Sequence, residues 1–271
     1  MFYRKYVPAL HLRPYVECFY VWECSEILTT QLPIESPPNG FASMVFNYGN
    51  PYRVVSQKLN GGIAPKTFLT GQATKSYHLH LSGKIGMVGI VFRPAGLCSL
   101  FGLPMYEFSD ERINLRDVLG KNIDELYDKI EEAASCDERI VLLEQFLNFQ
   151  FLRKIPTPDA IDYAANLIVD EKGIFNINEL IDEVCMSRRQ LERKFLQKVG
   201  VSPKYYARIR RVGFLCNVLA QQGWQIKDWQ DLIYQSGYYD QSHFIKEFTE
   251  FMGKNPSFYV KNNSELARYL K

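Results

Sequence analysis

Arg189, Gln190 and Arg193 fall on one side of a predicted helix whose other side carries Leu191, Phe195 and Val199 at helical spacing. Guanidinium and carboxamide groups offer paired donors and acceptors that match the guanine and adenine edges of a major groove. Arg188 and Lys194 add charge to the same helix, and Gln197 extends its polar face. From Ser187 to Arg211 nine basic residues stand against one acid, Glu192, a local charge of +8 in a chain whose net charge is only +2. Cations lined along such an element neutralise phosphates and release counterions. If Lys198 and Arg208 meet only phosphate, replacing either should weaken binding to all sequences alike and reduce its salt dependence.

The same plan recurs further along. Shifted by 53 positions, Leu191 falls on Phe244, Phe195 on Phe248, Gly200 on Gly253, Pro203 on Pro256 and Tyr206 on Tyr259. In the second copy Phe244, Phe248 and Phe251 face inward, leaving Ser242, His243, Lys246 and Glu250 outward, with Gln241 at the amino end. From Gly237 to Gly253 one lysine, Lys246, stands against Asp240, Glu247 and Glu250, so the second copy is expected to hold phosphate more weakly.

These helices need scaffolding. Ile177, Leu180, Ile181 and Val184 form the inner face of a positioning helix ended by Cys185-Met186, and Ser187 with Gln190 fits a capping box for the helix that follows. Trp229, Leu232 and Ile233 belong to the second positioning helix, and Gly237-Tyr238-Tyr239 makes its turn. Between the copies, Ser202-Pro203 is a strong helix start, and Tyr205, Ile209, Val212, Cys216 and Leu219 form one apolar stripe. A helix from Pro203 to Gln221 spans about 28 Å, comparable with the roughly 34 Å between successive major-groove faces on one side of a duplex.

SRRQLERKF followed by GVSP, and GYYDQSHFIKEF followed by GKNP, closely resemble the DNA-binding domain of the AraC/XylS family of bacterial transcription regulators over roughly Ala160 to Tyr259. The resemblance implies base-contacting positions at Arg189, Glu192 and Arg193 on the first reading helix. On the second it implies Gln241, Ser242, His243, Ile245 and Lys246. Glu192 departs towards acid, suited to a cytosine amino group. Ile181 and Ile233 stand where the family often has alanine, which implies altered helix packing. By the same analogy the partners are double-stranded promoter DNA and RNA polymerase, with transcriptional activation as the expected sense of control.

The preceding part reads as short strands at Cys18–Cys24, Ala42–Tyr48, Tyr52–Gln57, Lys66–Leu69, Ser76–Leu81 and Ile85–Phe92, then as two helices at Asn122–Ala133 and Asp137–Phe151. The expected fold class is therefore α+β: a β-rich barrel- or sandwich-like domain over 1–155 with closing helices, then an all-α domain over 157–271 with two helix-turn-helix motifs joined by a linker helix. Pro156-Thr157-Pro158 breaks the helical pattern at the boundary. The segments LPIESPPNGFASMVFNYG, LTGQAT and GIVFRPAGLCSLFG resemble an uncharacterised amino-terminal domain found ahead of such tails. Family analogy assigns it a small-molecule effector or a role in homodimer formation. Trp22, Phe46, Tyr48 and Tyr77 are the candidate pocket residues.

Composition narrows the remaining classes. The longest apolar run, Ile85 to Phe92, is shorter than the roughly 20 residues of a membrane helix, and the first residues lack a signal peptide's apolar core. A cytoplasmic protein without membrane partners is expected, its six cysteines reduced and mostly buried. His78 and His80 alternate on a strand, but no neighbouring residues complete a metal set. GxSxG, GxxxxGK[ST], the dinucleotide glycine fingerprint and HExxH are absent. Cys18 has no local base. Neither catalysis nor a cofactor is expected. The competing reading is a small-molecule-binding or enzymatic barrel whose helical tail serves protein contact.

Overall fold

A computed structural model describes residues 2–56, 58, 60–225 and 228–262. The end of the predicted strand at Gln57 and the stretch 263–271 of the second domain lie outside these residues. Ten strands form the first part: β1 (Phe2–Tyr6), β2 (Val16–Glu23), β3 (Leu28–Ser36), β4 (Ala42–Asn47), β5 (Arg53–Val55), β6 (Asn60–Ile63), β7 (Thr67–Thr70), β8 (Tyr77–Gly83), β9 (Gly86–Phe92) and β10 (Arg112–Asn114). They make two antiparallel sheets, ordered β1-β2-β9-β4-β7-β10 and β3-β8-β5-β6. Helices α1 (Gly96–Phe101), α2 (Leu115–Leu119), α3 (Asn122–Glu132) and α4 (Cys136–Lys154) follow or interrupt them.

Strand alternation assigns each side chain of the six-stranded sheet to one of two interiors. Phe19 and Val21 of β2, Met44 and Phe46 of β4, and Val88, Ile90 and Phe92 of β9 share a core with Ile123, Tyr127 and Ile130 of α3 and Ile140, Leu143 and Leu147 of α4. The intervening residues Val45 and Met87 meet Ile34, Tyr52, Val54 and Leu81 between the sheets. The inner strands of the six-stranded sheet are thus buried on both faces, with the predicted helical closure on one side and the four-stranded sheet on the other, while β1 at the edge stays mostly exposed.

The second part is all helical: α5 (Ala160–Asp170), α6 (Ile177–Glu183), α7 (Arg188–Val199), α8 (Pro203–Gln221), α9 (Trp229–Gln235), α10 (Gln241–Met252) and α11 (Pro256–Asn262). Its core runs through both heads, from Leu180, Leu191 and Phe195 through Ile209, Val212, Cys216 and Leu219 of α8 to Ile233, Phe244, Phe248 and Tyr259. Ile181 and Ile233, the departures from alanine, pack against this core, Ile181 at its margin and Ile233 inside it.

The parts meet where α7 packs on α1 and on the turn at Met105–Glu107, where α8 touches the loop between β3 and β4, and where the last helices reach β3 and the start of β8. The Tyr206 hydroxyl donates to the Gly40 carbonyl (2.7 Å), and that of Tyr259 donates to Glu35 on β3 (2.7 Å). The Ser76 amide donates to the Phe251 carbonyl at 2.8 Å. Ala95 lies within the helical core itself. Gly213, inside α8, abuts the Pro38 carbonyl so closely that a Cβ there would stand 2.7 Å from the oxygen. All six cysteines are free; Cys216 alone is fully buried and Cys185 is exposed, so the thiols are less buried than expected.

Candidate nucleic-acid interface

Each reading helix begins on a side-chain cap. The Ser187 hydroxyl accepts from the Gln190 amide, and Gln190 Oε1 accepts in turn from the Ser187 amide (3.0 Å), completing the predicted capping box. Asp240 caps α10 by accepting from the His243 amide (2.7 Å). The turns leading in require a left-handed residue, supplied by Cys185 (φ 50°) in the first head and by Gly237 (φ 72°) in the second. Glycine adopts that conformation without penalty, whereas Cys185 stores some backbone strain. α6 and α9 are related by 52 positions but α7 and α10 by 53, so the second turn is one residue longer.

On α7 the residues Arg188, Arg189, Gln190, Glu192, Arg193 and Lys194 are all exposed, while Leu191, Phe195 and Val199 are buried. Arg188 pairs with Glu192 one turn on (3.2 Å). Gln190 Oε1 is engaged at the cap, leaving its amide nitrogen to meet a ligand. Arg189, Arg193 and Lys194 have no ion pair among the described residues. On α10, Gln241, Ser242, His243, Ile245 and Lys246 are exposed above Phe244, Phe248 and Phe251. The structure therefore presents every predicted base-contacting residue on an accessible face.

The charge pattern differs from the expectation in both heads. Lys198 bonds Asp162 (2.6 Å) and Asp159 (3.0 Å) of the α5 cap and is not a free phosphate contact. Burial opposes the charge on Asp159, but the bonds from Lys198 and Asp162 outweigh it and hold the carboxyl below its usual range. Arg208 bonds Glu247 (2.8 Å) and Glu250, and Arg211 bonds Glu247 (2.7 Å). Arg210 donates to the Asn39 carbonyl and lies over the Phe41 ring. Four of the nine cations, Arg189, Arg193, Lys194 and Lys204, are without an ion pair or a hydrogen-bond partner among the described residues. The acids of the second head are equally committed: Asp240 to its cap, Glu247 (3% exposed) between two arginines, and Glu250 to Arg208 and Lys75. Lys246 and Lys204 converge on one cleft between α8 and α10, beside His243.

The amino-terminal candidates divide by strand parity. Trp22 and Tyr77 line a cavity of about 220 Å³ between the sheets, together with Tyr3, Tyr20, Tyr52, Phe68 and Arg112. Phe46 does not; it points to the opposite face of β4, into the core against the helices. Tyr48 is held away by a bond from its hydroxyl to Glu23 (2.7 Å) and by Arg139 over its ring. Tyr20, two residues before Trp22, carried the same alternation signal and went unassigned. His78 stands 3.7 Å from Glu35, and no group of three metal-ligating side chains occurs among the described residues. The Cys18 thiol is pushed up to about 11, chiefly by burial, which keeps it protonated and poorly nucleophilic at neutral pH. No helix among the described residues is long and apolar enough to cross a membrane.

Two capped helix-turn-helix units on one linker helix define a DNA-binding protein. Residues 180–262 match a helix-turn-helix domain, one of the AraC type, and by that domain the chain is a DNA-binding transcription regulator. Residues 4–114 match a domain of unknown function, DUF6597. Curated proteins provide no match. Among solved structures, an apo variant of ToxT from Vibrio cholerae strain SCE256 overlaps with a TM-score of 0.48 at 16% identity, covering 90% of this chain and 97% of that one. ToxT in another crystal form gives 0.46 at 14% identity, again over 90% and 97%. ToxT with an unsaturated fatty acid bound gives 0.43 at 14%, over 88% and 97%. Overlaps of this size add nothing to the assignment.

Proposed function

We propose that α7 and α10 enter consecutive major-groove faces of one promoter duplex, so that a single chain reads an undivided site. Arg189 and Arg193 would make the principal base contacts of the first head, and Gln241, Ser242, His243 and Lys246 those of the second. Arg188, Gln190, Glu192, Lys194 and Ile245 flank these sets. The observation that carries this reading is the exposure of unpaired Arg189, Arg193, Lys194 and Lys246 on two capped helices fixed to one rigid 19-residue rod. Guanidinium groups without an internal partner are free to pair with guanine or phosphate oxygens.

Residues 1–155 act, in this proposal, as a sensor for a small-molecule effector held between the sheets, and 157–271 as the reader. The contacts of Glu35 with Tyr259 and of Gly40 with Tyr206 support the coupling, because both tie the sensor to the helices that carry the heads. Contact with RNA polymerase, activation of transcription, a homodimer and residence in the cytoplasm complete the proposal by family analogy. Selection of bound duplexes from a random pool tests it. The expected product is one contiguous motif spanning two neighbouring turns, with an affinity that falls steeply with salt. A motif confined to one turn, or shallow salt dependence, would reject two-headed reading.

A further inference from the structure

The cavity between the sheets has aromatic walls and one unmatched charge. Tyr20, Trp22, Tyr52, Phe68 and Tyr77 surround it, and Arg112 enters from the edge strand β10. Its guanidinium lies 4.5 Å from the Tyr77 ring centroid and 6.0 Å from that of Phe68. It is near enough to Tyr52 to oppose, by its charge, the rise that burial imposes on that phenol.

The neighbouring carboxylates are already committed. Asp110 accepts from the amide and hydroxyl of Thr74, both at 2.6 Å, and Glu111 pairs with Lys58 at 3.4 Å. Glu35 borders the cavity, but its carboxylate accepts from the Tyr259 hydroxyl and faces His78. Arg112 makes no ion pair among the described residues. Ring faces offer a cation part of what water would supply, but a half-buried guanidinium gains most from a carboxylate that fits its fork.

A second cleft of about 260 Å³ shares Thr70, Tyr77 and Arg112 with the cavity and is otherwise lined by groups that include Lys58, Lys75 and Asp110. Lys58 is paired with Glu111 and Lys75 with Glu250, so Arg112 is the cation of this cleft that has no ion pair among the described residues.

We propose that the cavity binds a small, flat aromatic carboxylate, its anionic end forked onto Arg112 and its ring held among Tyr20, Trp22 and Tyr52. Such a ligand supplies the missing counter-charge and fills apolar space of this size with few polar atoms, as small-molecule sites require. This deepens, and rests on, the reading of residues 1–155 as a sensor.

Titration calorimetry on the full chain, without DNA, tests the site with 2-naphthoate and its uncharged isostere 2-naphthamide. The expected result is binding of naphthoate at least tenfold tighter than naphthamide, a comparison that requires no variant. Arg112→Gln should lower naphthoate to the level of naphthamide and leave naphthamide unchanged, and Arg112→Lys should restore part of the preference. Equal affinity for both probes, full naphthoate affinity in Arg112→Gln, or binding of neither would overturn the proposal.

Promoter binding measured with and without naphthoate separates the two readings. Arg112-dependent binding of naphthoate that leaves promoter affinity unchanged keeps the site and removes the sensor. Promoter affinity that responds to cell metabolites equally in wild type and Arg112→Gln keeps the sensor and removes this site.

Discussion

The two heads share one plan and use charge in opposite ways. In the first, cations of the reading helix project outward, and the one lysine directed inward, Lys198, is tied to the cap of α5. In the second, acids of the reading helix are directed inward: Glu247 sits buried between Arg208 and Arg211 of the linker helix. The linear charge counts therefore exaggerate the contrast between the heads. Four of the nine cations from Ser187 to Arg211 are paired internally, and two of them, Arg208 and Arg211, with the very acids that made the second head look unfavourable to phosphate. Both outer faces are left with cations that have no ion pair among the described residues, three on α7 and Lys246 on α10.

The largest effect should come from breaking the inward use of charge. Glu247→Ala leaves two half-buried guanidinium groups facing each other, and loss of one partner of a buried pair costs about 3–5 kcal/mol. Urea denaturation should show a loss of that order. Glu250→Ala removes a far more exposed partner and should cost under about 1 kcal/mol. Equal losses would mean that burial does not separate the two acids.

The outward use of charge predicts smaller, sequence-specific effects. Arg193→Ala should weaken specific binding by about 1–3 kcal/mol and relax the preference at one base position of the half-site read by α7. Lys246→Ala should do the same at a position about one helical turn away. If both substitutions relaxed the same position, two heads on neighbouring turns would be excluded.

The finest distinction concerns lysines on a single helix. Lys194→Ala should lower the slope of log affinity against log salt by about 1, because a phosphate contact is lost uniformly across sequences. Lys198→Ala should leave that slope unchanged and lower the melting temperature instead, since its partners are Asp159 and Asp162. A reduced slope for Lys198→Ala would show that the lysine leaves those carboxylates for DNA.

The reading helices were legible because their signals are local: cap, apolar spacing and turn lie within about twenty residues. The sheets were legible only in part, and the omissions follow a rule. β1, β3, β6 and β10 went unassigned, and these are the four edge strands of the two sheets. An edge strand is paired on one side only and tolerates polar residues, glycine and proline, as Gly61-Gly62 in β6 and Pro33 in β3 show. The interior strands β4 and β9 carry dense apolar runs because both faces of their sheet are covered.

The cavity was half legible for a related reason. Parity along β4 separates Phe46 from Val45, yet only knowledge of which face meets the helices decides which residue lines the cavity. Arg112 lies on an edge strand of three residues, too short to show alternation. The ion pairs were hidden more thoroughly, since Lys198 with Asp162 and Arg211 with Glu247 are each 36 residues apart.

Gly213 offers a gauge of whether the β-rich and the helical part are seated together. Judged by helix preference alone, alanine in the middle of α8 should be favoured by about 1 kcal/mol. Against the Pro38 carbonyl it has no room. The sign of the Gly213→Ala effect thus reports the docked fraction: unfavourable while the loop rests on the rod, favourable once it has lifted away.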